Sequence, residues 1–171
     1  MKARLDAIVR PEQAEYLERL LPANTGLLEE MEAHAAEHRV PIADREVARF
    51  LEITARACGA RRVLEIGMAI GYTVIHLARA LEPGGLVVTI EPSEEMISLS
   101  EDYLARAGVR DRVHIERGAA LDVIPGLSES FDIVFLDALK EEYWDYLEQS
   151  LPMLRVGQRD AALRPDQLAD L

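Results

Sequence analysis

From Arg62 onward the chain alternates short, unbroken apolar runs with stretches whose apolar residues recur at helical spacing, and this alternation restricts the fold more than any other feature. The runs Arg62 to Ile66, Leu86 to Ile90, Arg112 to Glu116 and Phe131 to Leu136 are too short for buried helices and are bounded by Gly, Pro or charge, so they are expected as strands. Between them, Val74, Leu77, Ala78 and Leu81 form one helical stripe. Met96, Ile97, Ser100, Tyr103, Leu104 and Ala107 form another, closed by Gly108. Four strand-helix units in succession require right-handed crossovers and give a parallel sheet with helices on both faces. Ile133 to Leu136, apolar throughout, fits a strand buried on both sides. The expectation is an α/β fold with a doubly wound, mostly parallel sheet.

The residues before this pattern read as an N-terminal helical extension, 1–58. Helices are expected from Pro11 to Leu21 and from Thr25 to about His38, the second ended by Pro41 and carrying a stripe of Leu27, Leu28, Met31 and Ala35. Because the stripe of Leu27, Leu28 and Met31 has no evident partner, it suggests a homodimer. Asp44 suits an N-cap for a third helix, with Val47, Phe50, Leu51 and Cys58 on one face before Gly59. Cys58 is expected as a small core residue and Trp144 as a packing residue. The remainder divides into an α/β core, 59–157, and a C-terminal segment, 158–171, all within a single domain without repeats or linkers.

Composition narrows the function classes. With 171 residues, 49% of them hydrophobic and 29% charged, the chain can bury one sizeable core. Its 19 Lys and Arg against 31 Asp and Glu give a formal charge of -12, the wrong sign for gripping nucleic acid or an anionic membrane. No apolar run approaches the roughly 18 residues of a membrane helix, and Met1 to Arg10 is too polar for a signal peptide, so a cytoplasmic location is expected. The single cysteine excludes an intrachain disulfide and a cysteine zinc cluster.

In a doubly wound sheet, ligands bind beyond the carboxyl ends of the strands near the point where strand order reverses. After the first strand comes Glu65-Ile66-Gly67-Met68-Ala69-Ile70-Gly71-Tyr72-Thr73, a glycine turn where a ligand can approach the backbone closely. The second strand ends near Glu91, 20 residues after Gly71, where a carboxylate can accept from both hydroxyls of a ribose. Gly118-Ala119-Ala120 follows the third strand and leaves room for a flat ring. In this order and spacing, the pieces favour an adenosyl-type ligand. A rival motif, His34-Ala35-Ala36-Glu37-His38, spells the His-x-x-Glu-His signature of inverted zinc peptidases, but Pro41 ends the helix at once and no third ligand stands out.

From about Pro41 to Gly157 the chain resembles the class I S-adenosylmethionine-dependent O-methyltransferases of the catechol and caffeoyl-CoA type, as a bacterial member. The resemblance is carried by Val63-Leu64-Glu65-Ile66-Gly67, Gly71-Tyr72-Thr73, Thr89-Ile90-Glu91, the run Phe131 to Lys140, and Tyr143 to Tyr146. It implies that Glu65 and Gly67 lie by the methionine part of S-adenosylmethionine, with Gly71 in the same turn, that Thr73 holds its carboxylate and that Glu91 holds the ribose. Ala119 and Ala120 are implied at the adenine, and Ala43 in the pocket wall. Asp137 is implied as cofactor neighbour and ligand of a divalent metal such as Mg²⁺, and Lys140 as the group beside the acceptor hydroxyl. The implied acceptor is a small hydroxylated, catechol-like or phenolic molecule; family habit also favours a homodimer. Met68, Ala119 and Leu139 depart from the family pattern. After Gly157 the family continues with a second glycine, a strand and an Asp-Asn pair completing the metal site, whereas here Gln158 to Leu171 follows. One carboxylate then remains for the metal. A stretch omitted between Gly157 and Gln158 is therefore expected. The rival functions are an S-adenosylmethionine-binding domain without turnover, a tRNA hydroxyuridine methyltransferase, against which the acidity argues, and the zinc peptidase.

Overall fold

The computed structural model describes residues 10–22, 24 and 26–155. The expected omission between Gly157 and Gln158 and the segment 158–171 lie outside the described residues. Three helices come first: α1 (Pro11–Leu20), α2 (Leu27–His38) and α3 (Arg45–Ala57). The alternating part follows as β1 (Arg62–Ile66), α4 (Tyr72–Ala80), β2 (Leu86–Glu91), α5 (Glu94–Arg106), β3 (Val113–Arg117), α6 (Ala120–Val123), β4 (Ile133–Leu136) and α7 (Tyr143–Ser150). Strand boundaries differ from expectation by local causes. Arg112 belongs to a 3₁₀ turn, so β3 starts one residue later, while β2 continues to Glu91, which pairs with Arg117.

The sheet is parallel with order β3-β2-β1-β4. The chain runs outward through β1, β2 and β3, then returns to lay β4 on the other side of β1. The strand order therefore reverses between β1 and β4, and a ligand cleft belongs there. The period-two alternation of strands divides the apolar residues between the two faces. Val63, Val87 and Val113 pack with α2, α3, α4 and α5, whereas Leu64, Ile66, Val88 and Ile90 pack with Ala120, Ile124, Phe131 and Tyr146. This is the doubly wound arrangement.

The helical extension corrects three expectations. The stripe on α2 is covered by the chain's own core: Met31 and Ala35 are buried, and Leu27 and Leu28 pack against the same cluster, which removes the ground for a dimer at this stripe. On α3 the buried residues are Ala48, Leu51 and Ala55, while Val47 and Ile53 are exposed and Phe50 is 66% exposed. Two alanines on that face let α3 lie close against α4, so small side chains rather than large ones are turned inward. Cys58 lies past the last turn of α3 and is exposed, not a core residue. Helix α2 stops at His38 because Arg39 takes a left-handed conformation, φ 58°, before Pro41 is reached.

Strand β4 is half-buried along its length, not buried on both faces. Among the described residues its only strand neighbour is β1, and apolar composition does not reveal which strand stands at the edge. Its start is tied more firmly. Phe131 makes a parallel bridge to Leu154, its N–H donating to the Met153 carbonyl at 2.8 Å. The buried carboxylate of Asp132 accepts from the backbone N–H groups of Arg61 and Arg62 at 2.7 and 2.8 Å, and from Arg155 Nη1 at 2.5 Å. Trp144 is exposed, whereas Tyr146 packs in the core. No helix among the described residues is long and apolar enough to cross a membrane.

Candidate functional site

At the reversal point the ends of β2, β1 and β4 lie side by side, and the turn after β1 threads between its neighbours. Gly67 donates its N–H to the Ile90 carbonyl at 3.0 Å, and the Asp137 N–H donates to the Ile66 carbonyl at 2.9 Å. Gly67 has φ +96°, and a Cβ added to it would sit 2.4 Å from the Asp137 carbonyl oxygen, so only glycine fits between the two strand ends. Two residues on, Ala69 is left-handed at φ 46°. That conformation sends its N–H to Glu91 Oε2 at 2.9 Å, while the Ser93 N–H donates to Glu91 Oε1 at 3.0 Å. Glu91 is thus held by one backbone donor on each oxygen. A carboxylate has about four lone-pair sites, so acceptor capacity remains on both oxygens.

Glu65, fully buried, faces inward on the α4 side of the sheet. Its strand register places Thr89 opposite it, and Thr89 Oγ1 donates to Oε2 at 2.9 Å, while Thr73 Oγ1 at the start of α4 donates to Oε1. Burial raises its pKa to about 8, more than the two hydroxyl donors lower it; the Asp137 and Glu91 carboxylates add to the rise. Asp137 follows β4. Burial also raises its pKa, against the lowering effect of the Lys140 ammonium nearby. Glu65 thus feels both the Glu91 and the Asp137 carboxylate, the three lying at the ends of three adjacent strands.

Above this turn lies a cleft of about 650 Å³. Its walls are the loop Pro41 to Asp44 with Val47 of α3, the turn Gly67 to Ala69, Tyr72 and Thr73, the strand ends at Glu91, Pro92 and Phe135, and the segment Asp137 to Lys140 with Tyr143. Of the residues singled out from the sequence, Ala43, Gly67, Thr73, Glu91, Asp137 and Lys140 meet here. Glu65 does not line the cleft but is bonded to Thr73, which does. Gly71 is absent from the lining; it is the left-handed N-cap of α4. Ala119 and Ala120 also lie outside the lining, Ala120 being buried in the second core cluster. Ala69 and Ser93 act through backbone N–H groups, which their side chains do not announce, and Thr89, within the Thr89-Ile90-Glu91 run, takes its role from strand register. A Thr beside a strand-end carboxylate was the only signal available.

The rival zinc motif acquires no third ligand. The rings of His34 and His38 stack with centroids 4.2 Å apart, and among the described residues no group of three or more His, Cys, Asp or Glu is placed to hold a metal ion. That finding also applies to Asp137: among the described residues no set of three such ligands surrounds it.

A doubly wound sheet with a carboxylate-ringed cleft at its reversal point defines a nucleotide-type binding fold. A family model described as O-methyltransferase matches residues 18–162, and the chain belongs to that family. It is 44% identical over 110 residues to a catechol O-methyltransferase from Mycobacterium tuberculosis, covering 64% of this chain and 50% of that protein. It is 35% identical over 113 residues to one from Niastella koreensis, covering 64% and 51%. The chain thus spans about half the length of the curated relatives it matches. Among solved structures, it is similar to an O-methyltransferase from Bacillus cereus in complex with SAH, with a TM-score of 0.76 and 35% identity over 82% of this chain and 67% of the other. It is equally similar to the O-methyltransferase TomG from Streptomyces achromogenes in complex with SAM, at 0.76 and 35%, covering 82% and 66%.

Proposed function

We propose that this chain binds S-adenosylmethionine in the cleft and transfers its methyl group to a hydroxyl of a small catechol-like or phenolic acceptor. The observation that carries the reading is the cleft at the strand reversal, where Glu91 and Asp137 flank the turn that only a glycine at position 67 can make and buried Glu65 is bonded to Thr73 of the cleft wall. Relatives whose names specify catechol O-methyltransfer, and similar structures in complex with SAM or SAH, support it. When bound, the cofactor supplies a sulfonium methyl that an oxygen nucleophile can take by in-line displacement.

The chain's own residues then divide the work. Glu91, its two oxygens oriented by Ala69 and Ser93, has lone pairs left for the ribose hydroxyls. Gly67 leaves the backbone open to the methionine part. Glu65, bonded to Thr73, holds its proton near neutrality, and a ligand bearing a sulfonium and an ammonium favours its charged form. Ala43 and Val47 close the cleft from the helical side. Lys140, beside Asp137, is the base: once its ammonium has released a proton to solvent, the neutral amine takes the proton of the acceptor hydroxyl, and the ammonium so re-formed stays near the oxygen that becomes anionic. The resemblance assigns a divalent metal to Asp137. One carboxylate among the described residues does not make a metal site, and no step is derived through an ion.

The second reading, which cofactor binding alone would satisfy, is a cofactor-binding domain without turnover. Calorimetric titration with S-adenosylhomocysteine, alongside transfer of labelled methyl to catechol, separates the two. Binding is expected, and Glu91→Ala should weaken it by about 1.5–3 kcal/mol, the scale of hydrogen bonds to a charged group. Equal affinity in the variant would sink the placement of Glu91. Transfer that drops in Lys140→Ala supports the enzyme reading, and binding without any transfer establishes the second.

A further inference from the structure

A second cavity, of about 220 Å³, opens between α3 and α4, with Tyr72 lining both it and the first cleft. Arg45, Arg49, Glu52 and Arg56 reach it from one face of α3, and His76 and Arg79 from α4. In a chain with a formal charge of -12, such convergence of arginines stands out. Arg56 and Arg79 fall in the last turns of their helices, where free carbonyls favour a cation. That accounts neither for Arg49 nor for the shared cavity.

The local charges do not balance. Arg45 is matched by Glu18 and by Glu32 at 3.7 Å. Glu52 alone is shared by Arg49 at 2.9 Å, Arg56 at 2.9 Å and His76 Nδ1 at 3.5 Å. Arg79 makes no ion pair among the described residues, so Arg49, Arg56 and Arg79 face one carboxylate; with Arg45 and its two carboxylates included, four guanidinium groups stand against three carboxylates, an excess of one positive charge. Hydrogen bonding is incomplete as well: Arg45 Nε, 3.7 Å from Glu32, is a buried donor with no hydrogen-bond partner. Native structures rarely leave a buried polar nitrogen so. An oxyanion supplies acceptor oxygens and negative charge, and guanidinium groups match its geometry.

We propose that this pocket between α3 and α4 binds a phosphoryl dianion, either inorganic phosphate or the phosphate of an ester. The site is separate from the cofactor cleft, and its test does not depend on methyl transfer. Calorimetry on the full chain should compare inorganic phosphate, phenyl phosphate and sodium chloride at matched ionic strength. Both phosphates are expected to bind and chloride is not. Arg79→Ala, at an exposed position, and Arg49→Ala, at a half-buried one, both shown to be folded by their thermal unfolding, should each weaken phosphate binding roughly tenfold. Tighter binding of phenyl phosphate assigns the site to an ester, and equal affinity assigns it to the free anion. Phosphate binding no stronger than chloride binding, or unchanged in both variants, overturns the proposal.

Discussion

Glu65 shows how a single side chain ties cofactor chemistry to folding energetics. It is buried in an apolar core face, so ionising it costs more than Thr73 and Thr89 return, and it keeps its proton up to about pH 8 in the folded chain. In the unfolded chain the proton leaves near the ordinary value of 4.5. Between those values the folded state holds more protons than the unfolded state, so stability should fall as pH rises through this window, with a limiting slope of about 1.4 kcal/mol per pH unit. Glu65→Gln keeps the hydroxyl partners but removes the titration. Urea unfolding at several pH values across the window should show a steeper decline for the native chain than for the variant, and parallel profiles would refute the buried-acid account. The residue carries two opposing demands: the neutral form suits the empty fold, and the charged form suits a cationic ligand.

At the level of elements, Asp132 does for β4 what neighbouring strands do for β1 and β2. Its carboxylate gathers two backbone donors from the start of β1 and the Arg155 guanidinium, while its own N–H donates to the Arg62 carbonyl at 2.7 Å. Asp132→Ala strands two N–H groups and should cost roughly 3 kcal/mol in denaturant unfolding; a loss below about 0.5 kcal/mol would show that water replaces the carboxylate. Much of this architecture was legible beforehand. The four strands, their parallel order and the glycine turn follow from apolar runs, helical spacing and positions that demand glycine. What escaped was long-range or backbone-borne. The position of β4 beside β1, outermost among the described strands, depends on pairing between segments distant in sequence. The inward face of α3 was misjudged because closeness to α4 selects Ala48 and Ala55 over Val47 and Phe50. The N–H groups that orient Glu91 come from Ala69 and Ser93, whose identities give no hint of the role.

Over the whole molecule, acidic charge is distributed unevenly in a way that bears on ligand choice. The formal -12 makes the chain as a whole attractive to cations, and Glu91 and Asp137, which line the cleft at the strand ends, concentrate that field there. The pocket between α3 and α4 has the opposite local sign. S-adenosylmethionine carries a sulfonium charge that its demethylated product lacks, so the acidic field should favour the substrate form of the cofactor over the product form and assist exchange after transfer. Salt should expose this difference. The part of the attraction that comes from distant charges is screened over a Debye length of about 10 Å at 0.1 M ionic strength, while contacts to Glu91 and the glycine turn are not. Raising sodium chloride from about 0.05 to 0.5 M should therefore weaken S-adenosylmethionine binding more than S-adenosylhomocysteine binding in paired calorimetric titrations. Equal salt dependence of the two ligands would show that the net charge plays no part in discriminating them, leaving direct contacts at the strand ends to do so.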